Sequence, residues 1–271
     1  MKYLVISFIF LLVTHNLNAQ HKPWDKNFPK EELKIIKIPN KENVWVFIMA
    51  GQSNMAGRAF VAPQDTITNK RILTINKTND LIYAKEPFHF YESKMKGLDL
   101  GMSFSKTLLA KIPDSVSILI LPTAVGGSSI EQWLENKNHR SVSLFENFEK
   151  KVTLGKTYGT IKGILWHQGE SNTAKQTTID NYDKNLGLLL TRFRTVANND
   201  RLPVIIGEIG SYSKNKENWK QLNSKIWAYV KTDVFTKVVA TQDLTHKGDQ
   251  LHFNAKSIRI LGKRYAEKFL E

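Results

Sequence analysis

Five short runs of apolar and β-branched residues, separated by longer stretches of helical period, constrain the fold more than any other feature of this chain. They are Val44 to Ala50, Val116 to Leu121, Ile161 to Trp166, Val204 to Ile209 and Phe235 to Ala240. A strand with one wet face alternates apolar and polar residues. These runs are apolar at successive positions, so both faces must be covered, as in a parallel sheet between helices. The intervening stretches supply the cover. Tyr182, Leu186, Leu189, Leu190, Phe193 and Val196 recur every three or four residues and form one apolar stripe. Trp219, Leu222, Ile226 and Tyr229 repeat the pattern, as do Ile258, Leu261, Tyr265 and Phe269, and a shorter helix is predicted from Ser103 to Ile112. Strand and helix in alternation predict an α/β fold with helices on both faces of a parallel sheet. Residues 58–101 interrupt the alternation and read as a long insertion of loops and short elements, of the kind that shapes a cleft. No internal repeat is present, and 44–271 reads as one domain.

The chain ahead of that domain has a different character. Lys2 precedes an apolar run from Tyr3 to Val13, and a polar stretch then leads to the small residue Ala19. This is the anatomy of a secretory signal peptide, with residues 1–19 as the leader. Eleven apolar positions (3 to 13) are too few for a spanning helix, which needs about 20. The expectation is therefore export, to the periplasm or the medium, without stable membrane insertion. Residues 20–43 are polar and Lys-rich and read as a lead-in that drapes over the domain.

Cysteine is absent from the chain, which removes thiol nucleophiles, disulfide scaffolds and thiolate metal sites. The chemistry must come from Ser, His, Asp, Glu or Lys. The 39 basic and 25 acidic residues leave a net charge of +14, but the Lys and Arg residues are scattered rather than clustered. That argues against a nucleic-acid partner and fits a solvated basic surface; an acidic glycan is the functional alternative. No phosphate-binding Gly-rich loop, dinucleotide fingerprint or zinc-binding His-Glu-x-x-His occurs. His89, His139 and His167 stand alone. No metal and no cofactor is expected.

In an open parallel sheet, ligands bind beyond the carboxyl ends of the strands. Small, polar and titratable residues follow the runs at that end: Gly51-Gln52-Ser53-Asn54-Met55 after the first, Gly126-Gly127-Ser128 after the second, His167-Gln168-Gly169-Glu170 after the third and Asp249-x-x-His252 after the fifth. A serine where a strand gives way to a helix is lifted clear of the sheet, either as a nucleophile or as a helix cap. Met55 replaces the second glycine of a Gly-x-Ser-x-Gly elbow, so the α/β-hydrolase arrangement does not apply. A nucleophilic serine needs a histidine base and a carboxylate to hold it. Asp249 and His252, three apart, would share one face of a helical turn; Asp243 and His246 have the same spacing and compete with them. An oxyanion needs preorganised donors. Gly126 and Gly127 can supply N–H groups and Gln168 an amide, or the glycines serve only the turn. Glu170 is a further carboxylate that orients Gln168 or the substrate, or pairs with His252. Trp133 either lines a sugar subsite or packs in the core.

Taken together, these motifs resemble those of the SGNH-type hydrolases, in the branch of sialate O-acetylesterases and acetylxylan esterases (carbohydrate esterase family 6). The similarity runs from about Val44 to the C-terminus and includes Lys263-Arg264-Tyr265-Ala266 in the closing helix. It implies a three-layer α/β/α sandwich with a flavodoxin-like sheet, and a metal-independent serine esterase that removes O-acetyl groups from carbohydrate. It makes Ser53 the nucleophile, His252 the base and Asp249 its partner, with Ser53, Gly127 and Gln168 donating to the oxyanion. Gln52, Asn54, Gly126 and Glu170 become substrate-binding or supporting residues. Phe253 departs from the proline that often follows the histidine in that branch. A silent carbohydrate-binding protein and an SGNH lipase or thioesterase are the other functions this chassis allows. The leader carries its own test. N-terminal sequencing of the exported protein is expected to begin at Gln20, and a mature protein still starting at Met1 would contradict the reading.

Overall fold

The computed structural model describes residues 24–271; the leader assigned to 1–19 lies outside the described residues. In chain order the strands are β1 (Leu33–Lys34), β2 (Val44–Gly51), β3 (Ile72–Ile75), β4 (Leu81–Tyr83), β5 (Ser117–Pro122), β6 (Asn138–His139), β7 (Val142–Ser143), β8 (Thr160–His167), β9 (Val204–Gly207) and β10 (Thr236–Val239). The helices are α1 (Ser53–Ala56), α2 (Gly101–Leu109), α3 (Ile130–Leu134), α4 (Leu144–Tyr158), α5 (Gln176–Asp180), α6 (Tyr182–Ala197), α7 (Lys216–Val230) and α8 (Ala255–Leu270). One sheet has the order β1-β4-β3-β5-β2-β8-β9-β10, and β6 and β7 form a separate ribbon. From β3 to β10 the neighbours are parallel. β4 and β1 are antiparallel additions at one edge.

All five apolar runs are strands of this sheet, and α2, α6, α7 and α8 occupy the stretches of helical period. Successive residues of each strand feed opposite layers, as the pleat requires. Val46, Ile48 and Ala50 pack with Trp133, Phe148, Phe193 and Leu222 under α3, α4, α6 and α7. Phe47 and Met49 pack with Phe104, Ile258, Leu261 and Tyr265 under α2 and α8. Each such aromatic or aliphatic side chain contributes roughly 1.5–3 kcal/mol by leaving water. The result is a central, mostly parallel sheet between two helical layers.

Three features depart from the sequence reading. The 58–101 stretch is not wholly outside the sheet, because β3 enters beside β5 with all four residues buried and β4 returns antiparallel to it. The apolar runs at 72–75 and 81–84 last only four residues between polar neighbours, against six at 204–209 and 235–240, so they give little periodic signal. The lead-in also contributes: Leu33 and Lys34 of β1 pair with Tyr83 and Ile82, closing the edge with a very short, charged strand. Finally, α4 carries no stripe that the sequence reading identified. Its contact with the sheet turns on Gly155, where an added Cβ would lie 2.9 Å from Val46 and 3.0 Å from Leu121 and Ile161.

Trp133, a candidate sugar-stacking residue, belongs to the core. It is fully buried, packs edge-on against Trp166 and Phe193, and donates from Nε1 to Ser128 Oγ at 3.0 Å. Trp133→Ala is therefore expected to lower folding stability by about 3–5 kcal/mol in urea titration. A loss below 1 kcal/mol would be inconsistent with that burial.

Candidate active site

Among the five parallel strands formed by the apolar runs the spatial order is β5-β2-β8-β9-β10, so the chain steps from β2 to one side and then to the other. Such a reversal opens a crevice at the carboxyl end of the strand where it occurs. β2 ends there at Gly51, whose φ is +133° and where a Cβ would fall 2.1 Å from the His167 carbonyl oxygen. Only glycine lets β2 and β8 approach so closely. Gln52 follows, and Ser53 opens α1 with its backbone N–H among the unpaired donors of a first helical turn.

The Ser53 hydroxyl does not cap the helix. It lies 3.0 Å from Nε2 of His252, whose Nδ1 lies 2.7 Å from Asp249 Oδ2. A carboxylate only accepts, so Nδ1 carries the proton, Nε2 presents its lone pair, and the serine O–H donates to it. The Asp249–His252 spacing works in a loop rather than on a helix. Asp249 Oδ1 accepts the backbone N–H groups of Leu251 and His252 at 3.0 and 2.8 Å, with Gln250 at a φ of +57°. The competing pair comes apart. Asp243 is engaged by Arg264 on the surface, and His246 Nδ1 accepts the backbone N–H groups of Gly248 and Gln250.

Burial would raise the Asp249 carboxyl, but the N–H groups and the imidazole of His252 outweigh it and hold the pKa at about 2. Burial lowers the His252 pKa from its ordinary value, opposed by Asp249 and reinforced by Lys247. At neutral pH the site therefore holds a carboxylate and a neutral imidazole.

Asn54 fastens the histidine loop to the sheet. Its Nδ2 donates to Glu170 Oε1 at 2.5 Å and to the Leu251 carbonyl at 3.2 Å, while its Oδ1 accepts the Phe253 N–H at 3.1 Å. The residues on both sides of His252 are thus held by one side chain. Phe253 is buried against His167 and Tyr212, and its donated N–H is a bond that proline could not make. Glu170 lines the cavity beside the loop. Burial would raise its carboxyl, but His167 and Asn54 keep it below the ordinary value. It orients Asn54, while Nδ1 of His252 is taken by Asp249.

The cavity over Ser53 measures about 320 Å³ and is lined by Gln52, Gly127, Arg58, Arg140, Glu170 and His252 among others. Gly126 and Gly127 divide their tasks. The Gly126 N–H donates to Glu92 at 2.7 Å, and Glu92 also receives Arg58 at 2.6 Å and Arg140. The Gly127 N–H, at a φ of +76°, has no acceptor among the described residues. Gln168 does not reach the cavity, contrary to the expectation that it donates there. It is fully buried, and its Nε2 faces Asn172 Oδ1 at 2.7 Å and Gln52 Oε1 and the Ser128 carbonyl at 3.2 Å. Gln52 occupies the place instead. Its Oε1 accepts from Gln168 and from the N–H groups of Gly169 and Ser171, at 3.2, 3.4 and 3.1 Å. Backbone N–H groups require an acceptor, so the amide orientation is settled and the Gln52 NH₂ is left without a partner among the described residues. The sequence offers one retrospective signal, since Gln52 is adjacent to Ser53.

A doubly covered parallel sheet with a Ser–His–Asp chain at its switch point is the arrangement of a serine hydrolase, on the α/β/α fold that the SGNH resemblance implied. A family profile described as carbohydrate esterase, sialic acid-specific acetylesterase matches residues 43–271. The chain belongs to that family, and it is a carboxylic ester hydrolase. A relative from Arabidopsis thaliana, named a probable carbohydrate esterase, is 30% identical over 263 aligned residues, 89% of this chain and 96% of the relative. The crystal structure of that Arabidopsis protein superposes with a TM-score of 0.74 at 26% identity, covering 84% of this chain and 98% of its own. NanS shares the fold at a TM-score of 0.71 and 18% identity, over 87% of this chain and 98% of NanS.

The electrostatic origin of the His252 state can be read by NMR titration. Asp249→Asn removes the charge that opposes desolvation, so the His252 midpoint should fall further below its wild-type value. Asp243→Asn should leave it in place, and equal shifts in the two variants would show that the assignment of partners is mistaken.

Proposed function

We propose that the protein is an exported O-acetylesterase acting on acetylated carbohydrate, with Ser53 as nucleophile. The observation that carries this reading is the continuous hydrogen-bonded chain from Asp249 through His252 to Ser53 at the floor of a small cavity. Family membership supports a sugar acetate as the substrate class. The size of the cavity suits a short acyl group.

Ser53 Oγ attacks the acetyl carbonyl carbon as its proton passes to His252 Nε2. The carbonyl π electrons move to oxygen, and the oxyanion meets the Ser53 N–H, the Gly127 N–H and the Gln52 amide. Asp249 stabilises the imidazolium. Collapse of the tetrahedral species breaks the bond to the sugar oxygen, which leaves with the proton from His252. Water, deprotonated in turn by His252, then attacks the acetyl-serine, and acetate departs with Ser53 restored. Within this cycle Gln168 is a positioning residue. It holds the oxygen of Gln52 so that the amide nitrogen faces the ester.

Acetate release from O-acetylated xylan, sialic acid and pectin, read beside an aryl acetate, tests this mechanism. Ser53→Ala should lose about 10⁴-fold or more in turnover while melting normally. Gln52→Ala should lose about 10²- to 10³-fold in kcat with little change in KM. The base must be neutral to accept a proton, and its pKa is lowered by burial. The acid limb of kcat/KM should therefore have its midpoint below the ordinary histidine value of about 6.5, with activity rising as pH rises through it. Turnover by Ser53→Ala near the wild-type rate would sink the mechanism, and a preference for long acyl chains would point to a lipase.

A further inference from the structure

A second cavity, of about 450 Å³, is larger than the one over Ser53. It lies at the β3–β4 edge of the sheet, floored by Thr74 and Ile75 at the carboxyl end of β3 and walled by the lead-in from Phe28 to Leu33. It is therefore on the same rim as Ser53. β3 and β2 are separated by β5 alone, two strand spacings or roughly 10 Å. The two cavities are divided by a crevice too tight to admit water, which shares Arg58 with the Ser53 cavity and His89 and Lys96 with the large one. A ligand joining them would pass over this divide along the rim.

The walls of the large cavity have a definite chemistry. Phe28, Tyr83 and Phe90 present aromatic rings, all partly exposed. Lys30, Lys77, Lys85 and Lys96 supply four ammonium groups, and the acids in the wall are only Glu31 and Glu32. None of the four lysines meets a carboxylate within 4.0 Å among the described residues, whereas every arginine near the Ser53 cavity does. Lys96 is half-buried over the Phe28 ring, and burial together with the charge of Lys77 pushes its ammonium below the ordinary value. Two cations thus share one concave space with neither paired to a carboxylate, and four lysines against Glu31 and Glu32 leave the wall with an excess of two positive charges. That arrangement is unfavourable unless an anion enters. Thr74, Asn76 and Thr78 also line the space, with their polar groups engaged by Ile120, Glu32 and Asp80, so the rings and the lysines are the groups free to meet a ligand.

We propose that this trough is an accessory binding site for a carboxylate-bearing glycan chain, whose neighbouring acetylated residue reaches Ser53. The proposal rests on the carbohydrate-esterase reading of the Ser53 site and extends it from the acetyl group to the polymer that carries it. Aromatic rings stack on pyranose faces, and the lysines face the carboxylates. An oligonucleotide would meet the same charges, but its phosphates carry no pyranose face for the rings, and single-stranded DNA serves as the competing probe.

Calorimetry of the full chain with de-esterified oligogalacturonate tests the site apart from turnover, because that probe carries carboxylates and no acetate. Binding should weaken as salt rises. A neutral xylo-oligosaccharide of equal length should bind more weakly and without salt dependence. The double variant Lys77→Gln/Lys96→Gln should lose about tenfold in affinity for oligogalacturonate while its aryl-acetate kcat/KM stays within about twofold of wild type. If that variant melts abnormally, Lys30→Gln/Lys85→Gln should show the same loss. Undiminished binding by a folded double variant, no binding by wild type, equal binding of the neutral oligomer, or tighter binding of single-stranded DNA would each overturn the site. Absence of aryl-acetate turnover in the wild type would instead count against the esterase mechanism.

Discussion

A parallel sheet covered on both faces has no wet surface, and that constraint orders everything else in this molecule. Every residue of β5 is buried, as is almost all of β2 and β8. Polar chemistry is therefore excluded from the strands and confined to the loops at their ends. The reversal of strand order at β2 then selects one loop cluster by parting the connections on either side. Ser53, Gly127, Glu170 and His252 meet there because each follows a strand that ends at the same rim.

The precision of the site comes from side chains that never touch the cavity's centre. Asn54 ties Leu251, Phe253 and Glu170 together, so the loop bearing His252 is referenced to the helix bearing Ser53 across nearly 200 residues of chain. Gln168 and two backbone N–H groups hold the oxygen of Gln52 in the same way. Buried polar networks of this kind are stable only when their members are satisfied. Glu170 Oε2, His167 Nε2 and Arg58 Nε are exceptions, buried with no hydrogen bond among the described residues, although His167 Nε2 lies 3.6 Å from Glu170 Oε1. The Glu92 cluster repeats the pattern on the opposite wall, where one carboxylate gathers Arg58, Arg140 and the Gly126 N–H and leaves Gly127 free.

Much of the architecture was legible in the chain because long apolar runs and helical stripes are local patterns. β3 and β4 were not, because their apolar runs span four residues against the six at β9 and β10, and in α4 the sheet-facing row of Phe145, Phe148 and Val152 is short and includes Lys151 and Gly155. The motifs Gly51 to Met55 and Asp249 to His252 could be named from residue type and spacing. Their geometry could not. The spacing of Asp249 and His252 suggested a helix, and a loop with Gln250 at positive φ makes the contact instead. Trp133 was equally compatible with a sugar subsite and a core, since an indole serves both.

What the sequence determined by itself is the set of buried faces and the chemical inventory of the loops, because hydrophobic period and residue type are properties of short segments. Which of those loop groups meet was decided by the tertiary structure. Asp243 and Asp249 stand at identical distances from a histidine in the chain, yet only Asp249 reaches the imidazole beside Ser53. Two glutamines flank the site in sequence, and folding turned Gln52 toward the cavity and Gln168 into the wall. Hydrogen bonds are short and directional, so they depend on the relative placement of segments far apart in the chain, and no local pattern encodes that placement.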